Sequence, residues 1–450
     1  MPSSRDAPTD GMKTVVASSR PHRSRKATPG AAWPWWLRLS LLLLALLLFV
    51  VPSFGAAGKP FKSQNLLPVL ATALLALRMQ HLRFPRWSVT TSLLGALPLL
   101  LLLQGASGLL LAAGAGDPPP GLQVTTATVL KQLRDPLAAW LVLVILVGHH
   151  RLLQRIDFTQ RAVQLMVFAG AVALLLYYRL ASDWAGANYV NPRGFLAGFE
   201  GPNSLGAAVA LIVPFGVAAV VRSRSVGGWL LNFAGLGVLG VLLLLSGSRG
   251  AVLALFAAGG IALVVALALG YQATAKQWLI APVVALAVAA LVVAAPSGPV
   301  ARLLSTDVTN LATDLSTSRR IVQLETAVAL FGMRPVTGWG IGGYEAGYTY
   351  LNPGVLPSTT PHNAILLLAV QGGAAAVLGL LVYYALLALS GLQAYLRRRD
   401  AFGVAALAFP LCVVFLDLFF PYTLTHDVGA VAAVFAVSLH LHGRDGDGTT

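Results

Sequence analysis

The sequence predicts an all-α polytopic membrane protein with about twelve transmembrane helices. Composition, the lengths of the apolar runs and the placement of the basic residues all point there. Of the 450 residues, 57% are hydrophobic and only 10% are charged, and mean hydropathy is +0.75. A soluble domain covers its surface with about a quarter charged residues, so the solvent of this chain is lipid. The runs Leu39–Gly55, 93–116 and 251–270 reach or approach the ~20 apolar residues that cross a hydrocarbon core. Helices follow, because backbone groups in lipid must bond within their own segment.

In chain order, residues 1–34 read as a disordered, basic cytoplasmic tail. Residues 35–441 form the transmembrane domain and 442–450 a short cytoplasmic tail. The run after Trp36 is too long for a signal-peptide core and reads as a retained anchor. Trp33, Trp35 and Trp36 stand where an interfacial aromatic belt belongs. Helices are expected near 36–55, 64–79, 91–113, 135–149, 161–180, 203–221, 228–246, 250–270, 277–295, 363–391, 401–420 and 426–441. The long outward segment 296–361 is read as a functional or lid-like loop. Within it, 318–333 has the pattern of an amphipathic helix, with Ile321, Leu324, Val328 and Phe331 on one face, ended by Gly332 and Pro335. Such a helix suits the membrane surface.

Twelve crossings put both termini on one side. Placing that side in the cytoplasm puts a basic residue in every inner loop, as the positive-inside pattern requires. The net charge of +15 therefore reads as membrane topology rather than nucleic-acid binding. A lone cysteine, Cys412, leaves no intrachain disulfide and no cysteine metal cluster. No strong internal repeat is visible, and Asp417 is the one clear mid-helix acid. Both features count against a transporter or flippase, which remains the alternative from another class.

Eleven basic residues fall on the outer side, where topology does not ask for them: Lys59, Lys62, Lys131, Arg134, Arg179, Arg193, Arg249, Arg302, Arg319, Arg320 and Arg334. Four stand at sharp places. Arg193 lies in NPRGFLAGFEGPN and Arg249 in the tight turn SGSRGA. Arg319 and Arg320 open the amphipathic helix. His362, in TTPHNA, marks where the long loop re-enters the membrane. The outer acids are scattered, with no DxD, DDxxD or HExxH, so no metal site is expected and a bound diphosphate would be neutralised by arginine. Guanidinium stays charged and grips phosphate oxygens in bidentate fashion. A histidine among arginines stays neutral and can accept a proton. The glycines of GWGIGGY (Gly338, Gly340, Gly343) spell GxGxxG, but no strand precedes them, so they are not read as a dinucleotide site. His149 and His150 read as interfacial charge rather than a metal site.

Four stretches between about residues 191 and 379 resemble, in order and spacing, the O-antigen ligase and O-antigen polymerase superfamily. They are GFEGPNSLG, LLLLSGSRGAVLAL, SRRIVQLETAVALFGMRPVTGWGIGGYEAGY and PHNAILLLAVQGG. The resemblance implies a C-type glycosyltransferase-like fold in the bacterial inner membrane, with the catalytic machinery inside 35–441 and 296–361 as a periplasmic loop. It puts the family's turn arginine on Arg249, its loop arginine on Arg320 (with Arg319 adjacent) and its catalytic histidine on His362, beside Asn363. Arg193 precedes the Pro202–Asn203 element. Leu324 stands where the family often has tryptophan. The implied substrates are an undecaprenyl-diphosphate-linked glycan as donor and lipid A–core as acceptor, without cofactor or metal. An O-antigen ligase is the favoured reading, with the O-antigen polymerase as the alternative and the protein O-oligosaccharyltransferase as a further relative.

Overall fold

The computed structural model describes residues 39, 42, 53–56, 59–62, 89–114, 122, 124–149, 153, 158–180, 202–272, 315–355, 358, 360–421, 424 and 426–442. The expected helices 64–79 and 277–295, most of 36–55, and Arg193 lie outside these residues. A short antiparallel ribbon pairs β1 (Ser53–Ala56) with β2 (Lys59–Lys62). The expected helix 36–55 therefore does not extend through its last residues.

The rest of the described chain is helical: α1 (Val89–Ala112), α2 (Thr126–Gly148), α3 (Phe158–Leu180), α4 (Pro202–Arg222), α5 (Val226–Ser246), α6 (Arg249–Ala268), α7 (Leu315–Met333), α8 (Gly343–Leu351), α9 (Ala364–Arg398), α10 (Ala401–Phe419) and α11 (His426–His442). Among them α3, α4, α5, α6, α9 and α10 contain stretches long and apolar enough to cross a membrane. Helix α2 begins well before the expected residue 135. Thr125 caps it, its hydroxyl accepting from the Thr128 amide at 3.2 Å. Lys131 and Arg134 are exposed on its first turns, so their charges do not interrupt it.

Short connections make neighbouring helices antiparallel, so the bundle has two ends. At the lower end Asp400 caps α10 through the Gly403 amide (3.0 Å) and faces Arg222 and Arg398 at 3.7 and 3.6 Å. There too the Tyr395 hydroxyl donates to the Ala266 carbonyl at 2.8 Å. The upper end gathers the start of α4, the α5–α6 turn, the start of α9 and the end of α10. The main core between the ends is aliphatic, with Phe215, Phe409 and Phe435 in mutual ring contact.

The upper end is organised by a broken helix. Gly373 interrupts α9 with φ +64° and ψ −161°. Asn363 donates to the Leu418 carbonyl at 3.2 Å, while Tyr384 donates to the adjacent Asp417 carboxylate at 2.8 Å. A straight helix would separate residues 363 and 384 by about 30 Å, so the first part of α9 turns back across the end of α10. Breaking a helix frees backbone groups that lipid cannot satisfy, at a cost of several kcal/mol each. Here the glycine-rich segment after α7 satisfies them. Trp339 and Gly340 amides donate to the Val370 and Gln371 carbonyls at 2.6 and 2.7 Å, and the Ala374 amide donates to the Pro335 carbonyl at 2.8 Å.

That segment is wedged between α1 and α9. The Ile341 amide reaches the Gln104 carbonyl of α1 at 3.2 Å. Gly340, at φ +72°, lies so close to the Gly108 backbone that a Cβ would collide with it. Gln132 of α2 accepts from the Gly342 amide (3.1 Å) and donates to Glu345 (3.2 Å). The glycines thus serve a backbone-to-backbone fit. They also lead into α8, a helix the sequence reading does not anticipate within the long loop.

Candidate active site

The candidate site is built from the upper ends inward. Gly247 ends α5 in the left-handed region (φ 59°), and Ser248 caps α6 by accepting from the Ala251 amide at 3.4 Å. Ser246 donates to the Leu243 carbonyl at 2.6 Å and accepts from the Ser248 amide at 3.3 Å. Both serines are buried. The turn therefore has a single shape, and Arg249 leaves it as the first residue of α6, half-buried.

Two glycines lock this turn to its neighbours. A Cβ at Gly206, in the Pro202–Gly206 start of α4, would come within 2.6 Å of Ser248 Cβ and 2.7 Å of Ser246 Oγ. A Cβ at Gly250 would meet the Phe419 ring at 3.1–3.3 Å. Residues 202–206 and the SGSRGA turn are thereby packed together, and the turn reaches the end of α10 through Gly250.

The next residue, Phe420, faces His362 with ring centroids 5.1 Å apart and planes tilted by 55°. His362 has φ 55°, a conformation that is uncommon for non-glycine residues although histidine is among those enriched there. It is held between the buried Pro361 and the half-buried Asn363. Asn363 caps α9 by accepting from the Leu366 amide at 2.9 Å, and its amide nitrogen ties to the Leu418 carbonyl. The histidine backbone is thus fixed by the hydrogen bonds of Asn363 on one side, and its ring rests against Phe420.

Arg319 and Arg320 stand exposed in the first turns of α7, close enough for their charge to act on His362. Burial, then Arg320, then Arg319 push the imidazole down from its ordinary 6.5 to about 4. At neutral pH the ring is therefore uncharged, with a nitrogen lone pair free to take a proton. Arg320 bears on it more than Arg319 does, which distinguishes the two where the sequence leaves them equivalent.

Arg249, Arg319, Arg320 and His362 all belong to the upper end, and Arg193 lies outside the described residues. Among the described residues no group of three or more His, Cys, Asp or Glu side chains is placed to hold a metal ion. Sequence reasoning misses Phe420, Gly206 and Gly250. The two glycines have no local signature of their role, which is set by elements distant in the chain. The capping role of Asn363 is legible, since an Asn immediately before an apolar run is a helix-start signal.

A family model described as O-antigen ligase matches residues 234–384, and a search of curated proteins finds no match. The matched stretch holds Arg249, Arg319, Arg320, the glycine-rich wedge and His362. The resemblance to the O-antigen ligase and polymerase superfamily holds over this stretch. The family suggests a glycosyltransferase-like enzyme of O-antigen processing that acts on a lipid-linked glycan in a membrane.

Proposed function

We propose that the protein is an O-antigen ligase, an inverting glycosyltransferase that moves a glycan from undecaprenyl diphosphate to lipid A–core on the periplasmic side of the bacterial inner membrane. The observation that carries this reading is the gathering of Arg249, Arg319, Arg320 and a neutral His362 at one end of membrane-length helices. A membrane-bound carrier with a diphosphate needs a cationic site at a bundle end, and an acceptor hydroxyl needs a base beside it.

In the proposed step His362 takes the proton from an acceptor sugar hydroxyl. The oxygen forms a bond to the anomeric carbon of the donor glycan. The bond from that carbon to the phosphate oxygen breaks on the opposite face, so the configuration inverts. The diphosphate leaves with its negative charge held by Arg249 and Arg320, with Arg319 and Arg193 as further cations. Guanidinium groups aimed at charge that develops on the leaving group stabilise the transition state more than the ground state. In this reading residues 35–441 are the catalytic domain, the segment 296–361 is periplasmic and both termini are cytoplasmic.

The test is a deletion strain complemented with wild type, His362→Ala or Arg249→Ala, with lipopolysaccharide resolved on a gel and membrane insertion checked by blotting. Wild type should restore glycan-capped core, and both variants should insert yet leave core uncapped. Core capped by a single repeat in the deletion strain would make the protein a polymerase. Normal capping by either variant would overturn the site assignment.

A further inference from the structure

Helix α7 buries two polar side chains and leaves three branched apolar ones outside. Its hidden face carries Gln323, Thr326, Ala327 and Leu330, at 2%, 5%, 0% and 0% exposure. Its outward face carries Ile321, Leu324 and Val328 at 46%, 37% and 58%. In water each branched apolar side chain left outside forgoes the free energy of burial. Hydrogen bonds engage the buried polar side chains. Gln323 donates to the Ser358 hydroxyl at 2.8 Å, Asn352 donates to the Thr326 hydroxyl at 3.0 Å, and the Tyr344 hydroxyl donates to the Gln323 carbonyl at 3.2 Å. Of the four residues that the sequence marks as the amphipathic face, Ile321, Leu324 and Val328 therefore point away from the protein, while Phe331 packs against the core with Ala327 and Leu330.

We propose that the outward stripe of α7 is embedded in the bilayer, at the boundary between headgroups and acyl chains, as an interfacial helix docked on the bundle. Continuity identifies the occupant as lipid. Beyond Val328 the apolar surface runs through Met333 and Val336, at 48% and 73% exposure. The Val336 carbonyl abuts Gly373, and just past that break α9 turns Leu378, Leu381 and Val382 outward. Helix α9 is long and apolar enough to cross a membrane, so its outward side chains face acyl chains, and the α7 stripe extends that surface. The charges agree, since Arg319 and Arg320 at the start of α7 suit the phosphate layer of a headgroup region. Resting on the function proposed above, the consequence is that immersion of α7 sets these arginines at the depth of a lipid-borne diphosphate.

The test uses the full chain with Cys412→Ala, carrying one new cysteine at a time as Leu324→Cys, Val328→Cys or, on the flank, Glu325→Cys. Each is spin-labelled and reconstituted in vesicles of phosphatidylcholine and phosphatidylglycerol. Accessibility to oxygen, which concentrates in the acyl region, is compared with accessibility to a water-soluble nickel chelate, and circular dichroism checks that each variant is folded. The expected result is a ratio favouring oxygen at 324 and 328 and severalfold lower at 325. Nickel dominance at 324 and 328 would overturn the proposal by placing the stripe in water. Exclusion of both reagents would also overturn it, by showing that a second copy or another segment of this chain covers the stripe. Catalysis does not enter these readouts, so failure here is separable from failure of the ligase reading.

Discussion

Arginine 320 should control the acid limb of the reaction through His362. The imidazole sits near 4 instead of 6.5, lowered by burial first, Arg320 second and Arg319 third. Since burial weighs at least as much as Arg320, that arginine accounts for at most about half of the gap. Arg320→Ala should therefore raise the free-enzyme limb from about 4 to no higher than about 5. The sign follows from charge: removing a cation makes protonation easier, so the base is lost at a higher pH. The assay is single-turnover glycan transfer at limiting donor with excess enzyme, measured from pH 3.5 to 8. Under those conditions the limb reports the free enzyme. At saturating donor the limb should already sit higher in the wild type, because bound diphosphate offsets the arginine charge. A wild-type limiting-donor limb near 6.5 would refute the reasoning, as would one that Arg320→Ala leaves in place.

Three further outcomes are expected. Arg249→Ala should lose about 2–5 kcal/mol of transition-state binding, read as kcat/KM, and Arg249→Lys should recover only part, because a point charge cannot reproduce the bidentate grip. Gly206→Ala should drive a methyl group into Ser246 and Ser248, lowering stability by roughly 1–3 kcal/mol in a detergent melt. Its transfer activity should fall further than that loss explains, because Arg249 moves with the turn. Gly340→Ala should push the loop off Gly108 and strain a backbone at φ +72°, at about 1–3 kcal/mol. Hydrogen exchange at the Trp339, Gly340 and Ile341 amides should then quicken by roughly tenfold or more.

The long helices were legible because lipid demands unbroken apolar runs, and α4, α5, α6 and α10 start and stop within a few residues of expectation. The start of α7 and its end before Pro335 were equally legible. Helix α8 was not, since GYEAGYTYL has neither an apolar run nor a side-chain cap. The break in α9 has a visible mark in Gln371-Gly372-Gly373. Its cause lies elsewhere, in the Pro335–Gly340 segment that takes over the freed backbone groups. The candidate arginines stand out in the sequence as cations that the expected topology does not require. Their meeting does not, because it runs through Gly206, Gly250 and Phe420, whose partners are far away in the chain.

The same logic explains why the candidate site is held by backbone and glycine contacts. Neighbouring side chains fix the backbone there: Ser246 and Ser248 shape the turn before Arg249, and Asn363 fixes the backbone after His362. Beneath them the broken α9 and the glycine-rich wedge complete each other's hydrogen bonds, so an irregular backbone is stable at the edge of a lipid phase. This arrangement leaves His362 dependent on the packing of three separate elements, α7, α9 and α10. A change at any of their contacts alters the charge, burial or direction of one imidazole, and that is how a residue distant from the chemistry can set its rate.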